Sequence, residues 1–282
     1  MIVNGYAEMK TFLPAMEMKG APTLFDDALE VAQDNLVADI IGANLEERLE
    51  LRQPSDSKLL KLCQRVISQQ AFLRSIPDLD LVLTDAGFAV VNNEQTTMAS
   101  RDRVQALTVN LQAKLDESKD ALVLYLLSAA AYRDWRGTEE FARLSDGLIL
   151  TYGEFKDAAV LNNVTAAAYP KSWGEFLELN SALNVALMTD CASYISKDYA
   201  EEIIEKIRDD ETFLPVEKKV LKLVKIAVCA YAMGDGKTGI EQTLAAVGVM
   251  KANPDDFPTY RDSDEALSLS VEHSDTPIFS MF

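Results

Sequence analysis

Histidine is almost missing from this chain: 282 residues contain one, His273, in a polar stretch near the C-terminus. Metal and acid–base sites usually gather imidazole, thiolate and carboxylate groups at ligand spacing, so the scarcity removes the commonest ligand and general base. Cysteine is sparse too. Cys63, Cys191 and Cys229 are odd in number, far apart and set among apolar residues. They do not form a disulfide framework and read as buried thiols in a reducing compartment. Positive charge is short: 27 Lys and Arg face 45 Asp and Glu, a net charge of −18. With no concentrated basic face, such a chain repels a phosphate backbone.

Long apolar runs are absent as well. The most apolar stretch, Ala121 to Tyr132, falls well short of the roughly 20 residues that span a bilayer and reads as a buried helix, so no membrane association is expected. The opening MIVNGYAEMK lacks a basic segment followed by an apolar core, so no secretory signal is expected. Neither a Gly-x-Ser-x-Gly elbow nor a dinucleotide-binding glycine pattern occurs. Gly236-Lys237-Thr238 imitates the end of a phosphate-binding loop, but Tyr231 stands where the first glycine belongs and the preceding residues read as helix. Asp255-Asp256 and Asp262 to Glu265 lack the glycine turn and terminal glutamate of a calcium loop. The one aromatic and basic cluster, Tyr132 to Arg136, is diluted by Asp134, Glu139 and Glu140. No enzyme activity and no cofactor are expected.

What is present is a core-forming, helical pattern, with 48% hydrophobic residues. The expected class is mainly α: helical bundle modules, with one β-hairpin and an extended C-terminal tail. The expected division is an N-terminal helical module over residues 1–136, a second over 137–252, and an acidic tail over 253–282. In the first module, Gly5 to Leu13 forms a short helix. Thr23 caps the next, with apolar residues recurring from Leu24 to Ile40 and a stop at Gly42. A short piece comes next from Leu45 to Leu51, and Ser55 or Ser57 caps a helix up to Pro77. The run 81–91 reads as a hairpin with Asp85-Ala86-Gly87 as a three-residue loop. Ser100 then caps a long helix over 101–136, closed by Gly137.

In the second module Thr138 opens a helix with Glu139 and Glu140 in its first turn. Ser172 and Glu175 have capping-box spacing for a helix to about Tyr194. Ser196 caps a helix through Arg208, Pro215 starts one reaching Met233, and Thr238 with Glu241 opens the last before Asn253-Pro254. Residues 38–49 followed by Leu60-Lys61-Leu62 have a counterpart in residues 193–204 followed by Leu221-Lys222-Leu223. Two copies of one helical module would explain this; so would the general likeness of amphipathic helices. The tail is polar and acidic yet ends on Ile278, Phe279, Met281 and Phe282, a group that either meets a partner or folds back on its own core.

The run Ile76 to Asn92, with Ala99 to Val104 after it, resembles a signature in a family of poorly characterised proteins from Bacteroidales and their phages. Trp135, Phe155, Ser172 to Leu179 and Ile204 to Met233 follow the order of that family. The opening from Tyr6 to Pro14, then Asp26 to Ala32 and Ile40 to Gly42, is similar to the start of phage head-to-tail connector proteins.

That resemblance implies a helical adaptor assembling as a dodecameric ring beneath the portal, without a cofactor. It implies the portal and other neck and tail proteins as partners, and DNA passing through the channel without sequence-specific binding. The location implied is the virion neck, after assembly in the host cytoplasm. The interface candidates are Asp85, Ala86, Gly87 and Phe88 at the hairpin and Ile278, Phe279, Met281 and Phe282 at the terminus. This chain is longer than those adaptors, which is compatible with the first ring or a later neck protein. A second class of function is a cytosolic helical scaffold or regulator, encoded by a mobile element, that binds a protein partner.

Overall fold

The computed structural model describes residues 1–13, 22–79, 81–84, 87–90, 101–161 and 169–261. The described chain is mainly α-helical and divides into two units, Met1–Phe141 and Ala142–Phe282. The interface candidates Asp85, Ala86, Ile278, Phe279, Met281 and Phe282 lie outside the described residues, as does His273. No described helix is long and apolar enough to cross a membrane.

In the first unit, α1 (Tyr6–Met9) runs into a 3-10 turn, Lys10–Phe12. A second 3-10 turn, Pro22–Phe25, leads into α2 (Asp26–Leu36). Thr23 therefore sits inside that turn and is not the cap. The apolar stripe of α2, Ala28, Leu29, Ala32 and Leu36, is buried. The helix then widens into a π-helical turn, Val37–Ile41, which passes into α3 (Gly42–Glu50). Gly42 does not end the helical run: at φ 73° and ψ 162° it re-aims the chain in a conformation that is essentially restricted to glycine.

After the 3-10 turn Pro54–Asp56, α4 (Ser57–Leu79) packs against α2 and against α5 (Arg101–Ser128). Pro77 lies inside α4, two residues before its end, so the helix expected to stop at Pro77 runs on to Leu79 without the bond that an N–H at position 77 would make. Strands β1 (Leu81–Thr84) and β2 (Gly87–Val90) pair antiparallel in the register Leu81↔Val90 to Thr84↔Gly87. Gly87 is thus a strand residue paired with Thr84, not the third residue of a loop.

The long helix expected over 101–136 ends at Ser128. Ala129 is extended (φ −95°, ψ 110°), and a 3-10 segment, Ala130–Gly137, takes over. Long-range bonds account for the break: Trp135 Nε1 donates to the Ile40 carbonyl at 2.6 Å, and the Tyr132 hydroxyl donates to Asp56 at 3.0 Å. Continued helix would carry both side chains elsewhere.

Helix α6 (Glu139–Ser145) crosses the boundary between the units, and Thr138 Oγ1 accepts from the Phe141 N–H at 3.3 Å. The second unit continues with α7 (Tyr152–Leu161) and α8 (Trp173–Val185). Ser172 caps α8, but Glu175 accepts from the Lys171 N–H at 2.7 Å, so the reciprocal bond of a capping box is displaced by one residue. The helix expected to continue to Tyr194 is interrupted by a second π-helical turn, Ala186–Cys191, before α9 (Ala192–Ile195). Ser196, at φ 71° and ψ 149°, then starts α10 (Lys197–Arg208).

Helix α11 (Pro215–Ala232) carries Pro215 at its first position and packs along α12 (Gly236–Ala252). The cap of α12 is Asp235, which accepts from the Thr238 N–H at 3.1 Å; Thr238 lies within the first turn.

Both units contain, in order, a helix, a π-helical turn, a residue at positive φ, a shorter helix and a pair of long packed helices, with α9 set between the turn and the positive-φ residue only in the second. In sequence, Ile41-Gly42 matches Ile195-Ser196, with both isoleucines fully buried. The match is one residue out of step with the alignment read from sequence, which pairs Ile40 with Ile195.

Candidate interaction surfaces

The first unit is closed by a polar knot. Asp56, 2% exposed, is forked by Arg48 at 2.9 and 2.7 Å and also accepts from Tyr132. Arg48 stacks 4.9 Å from the Tyr132 ring centre and donates to the Ala131 carbonyl at 3.3 Å. The Arg48 hydrogen bonds hold the Asp56 carboxyl below its ordinary range. Beside the knot, an open cleft of about 550 Å³ is lined by Gly42, Asn44, Arg48, Asp134, Trp135 and Glu140. The Glu140 carboxylate occupies the space above Gly42, where a Cβ would meet it at 2.8 Å. Among the described residues no group of three or more His, Cys, Asp or Glu is placed to hold a metal ion.

The N-terminal part of α5 differs from the rest of that helix. From Arg101 to Asn110 no residue is buried, and the first buried position is Leu111. Leu107 and Val109 are 41% and 65% exposed. A helix draws most of its stability from burying an apolar face, and at this end Leu107 and Val109 lack the cover that buries Leu111, Leu115 and Leu122.

The second unit has its own polar knot. Lys206 bridges Glu202 at 2.7 Å and the buried Glu217 at 2.5 Å, and Glu217 also accepts from the Leu214 N–H at 2.7 Å. Burial opposes charge on Lys206, but the bonds to Glu202 and Glu217 outweigh it and raise its pKa. Between α7 and α11 an apolar groove of about 280 Å³ runs over Ala158, Leu221 and Ile226. Lys218, Lys222 and Lys225 stand along its α11 side, and Glu154 and Asp157 along its α7 side. Lys225 is paired with Glu154.

Several carboxylates hold folded pKa values below their unfolded ones: Glu8 through its bond from Arg52, Asp56 through Arg48, and Glu202. For Glu202 burial works against the shift, and the Lys206 and Thr259 bonds overcome it. A depressed folded pKa stabilises above the unfolded value and loses that contribution as pH falls through the folded one. The urea midpoint is therefore expected to hold near pH 7 and to drop below about pH 4.5, with Asp56→Asn flattening the acid limb. An unchanged slope in that variant would show that Asp56 does not contribute.

All three thiols are buried, and burial pushes Cys191 up to about 12 and Cys63 higher still. A thiol reagent at pH 8 is expected to label the folded protein roughly a hundredfold more slowly than the urea-unfolded chain, because the thiolate is both scarce and shielded. Fast labelling of any one cysteine in native buffer would contradict the buried placement.

Of the interface residues expected from sequence, Gly87 and Phe88 are placed only as strand residues. The α5 surface and the lysine row on α11 fall outside those expectations. Their signal is exposure, which composition and periodicity do not report.

Residues 16–144 match a family of unknown function, DUF6712. That stretch covers most of the first unit and ends inside α6, and nearly all of the second unit lies beyond it. No curated protein and no solved structure matches.

Proposed function

We propose that this chain is a structural subunit of a phage head-to-tail connector, assembling as a ring between the portal and the tail. The observation that carries this reading is the uncovered start of α5, a helix whose Leu107 and Val109 face solvent where a partner surface would stabilise them. The connector-like opening, from Tyr6 to Pro14 and Asp26 to Gly42, supplies the class of assembly.

The charge suits the role. A neck channel must let DNA slide, and a net charge of −18 repeated around a ring repels phosphate along the passage. Acidic side chains line that channel in this reading, no cofactor takes part, and DNA passes without being read. The strand pair holding Gly87 and Phe88, with Asp85 and Ala86 between its strands, and the terminal Ile278, Phe279, Met281 and Phe282 are the segments lent to neighbours, the portal among them.

Mass spectrometry of purified particles tests the reading. The protein is expected there in a stoichiometry like that of the portal, and removal of residues 277–282 is expected to weaken portal binding. A protein confined to the host cytoplasm and absent from particles would leave the mobile-element scaffold as the function.

A further inference from the structure

Two exposed helix faces carry charges of opposite sign at nearly the same spacing. On α2 these are Asp26, Asp27, Glu30 and Asp34, all exposed. On α11 they are Lys218, Lys219 and Lys222, also exposed, with the half-buried Lys225 continuing the row. Positions i, i+1 and i+4 coincide, and the fourth charge falls at i+8 on α2 and i+7 on α11. At about 1.5 Å rise per residue and about 100° per residue, both sets form a stripe roughly 10–12 Å long on one helix face.

Four lysines against one glutamate on a single helix stand out in a chain of net charge −18. Apart from Lys225, which holds Glu154, these lysines have no ion pair among the described residues, and neither do the four α2 carboxylates. The lysine row also borders the apolar groove over Ala158 and Leu221, so an occupant meets both charge and apolar surface. Asp157, on the far rim, would face the outer edge of any helix lying there.

We propose that the acidic face of α2 in one copy docks on the lysine-edged groove of α11 in the next copy. The contact is heterologous: one surface comes from the first unit and the other from the second, so each copy offers both halves, and the contacts make a ring when the rotation between copies closes and a filament when it does not. Resting on the connector reading, it names the surfaces by which copies of the ring subunit meet. Exposed ion pairs are individually weak and salt-screened, so the contact is sensitive to ionic strength and gains strength from repetition.

The test uses the full chain in two charge-reversed forms, K218E/K222E and E30K/D34K, compared by sedimentation velocity at low ionic strength. The native chain is expected to self-associate and to dissociate in high salt. Each variant alone is expected to associate about tenfold or more weakly. An equimolar mixture is expected to recover association, since each form then presents the charge its counterpart lacks. Association of either variant at native strength, a mixture that stays dissociated, or a native chain monomeric at every concentration overturns the proposal.

Zero-length carboxyl–amine cross-linking of a mixture of isotope-labelled and unlabelled native protein serves as the second measurement and involves no substitution. Intermolecular links joining Glu30 or Asp34 to Lys218 or Lys222 are expected, and their absence from an associated sample overturns the contact. Particle proteomics separates the outcomes: a protein present in particles but lacking these links keeps the connector role and loses this interface. One absent from particles but linked this way keeps the interface and loses the role.

Discussion

Trp135→Ala is expected to cost about 4 kcal/mol, the upper range for emptying an aromatic site in a packed interior. The indole is 1% exposed, lies 4.9 Å from the Phe141 ring centre and donates to the Ile40 carbonyl. Alanine removes all three contributions and leaves a buried carbonyl without its donor. With a urea m-value of about 2 kcal/mol per molar, the midpoint of the first unit falls by about 2 M in far-UV circular dichroism. Trp135→Phe is expected to lose about half as much, because it keeps ring packing and loses only the bond and some volume. The chain has two tryptophans, one in each unit, so the remaining Trp173 reports the second unit by fluorescence in the same titration. Equal losses from Phe and Ala would mean that the bond to Ile40 carries the whole effect.

Gly42→Val is expected to cost about 3 kcal/mol, from a backbone region closed to branched side chains and a forced displacement of Glu140. The φ of 73° with ψ of 162° is tolerated by glycine, and a Cβ there would lie 2.8 Å from the Glu140 carboxylate. Ser196 is the internal control. It holds nearly the same conformation with a side chain in place, its Oγ donating to the Thr259 carbonyl at 3.2 Å and accepting from the Tyr199 N–H at 3.4 Å. Ser196→Gly relieves strain and loses those bonds, so its stability change is expected to stay within about 1 kcal/mol. Thermal melts of the two variants measured side by side check the asymmetry. A neutral Gly42→Val would show that the turn does not need glycine.

Much of the helical order is legible in the sequence because apolar spacing and cap chemistry act locally. The buried stripe of α2, the Ser172 and Ser196 caps and Pro215 at the start of α11 all arise from neighbours a few residues apart. The departures have a common cause in distance. Nothing near Ala129 disfavours helix, and the break there comes from Trp135 and Tyr132 reaching Ile40 and Asp56. Asp235 and Thr238 both suit a cap, and only the geometry of the preceding turn selects the aspartate. The π-helical turns at Val37–Ile41 and Ala186–Cys191 have no local signature, since an extra residue per turn reflects where the next helix must point.

The candidate surfaces are less legible. Asp26, Asp27, Glu30 and Asp34 look like ordinary solvated charge until their exposure and spacing are set beside those of the α11 lysines. The Arg48–Asp56 fork is equally hidden, because the third member of the knot, Tyr132, comes from far along the chain.

Those widened turns also give the fold a place to accommodate changes in length. Losing one residue from Val37–Ile41 would let the helix tighten to its usual pitch, so the turn absorbs the loss and α3 keeps nearly its direction. A one-residue deletion at either turn, Val37–Ile41 before α3 or Ala186–Cys191 before α9 and α10, would then leave the packed pairs α4 with α5 and α11 with α12 in place. Lineages of such a protein would then tolerate single-residue changes in length at these two turns.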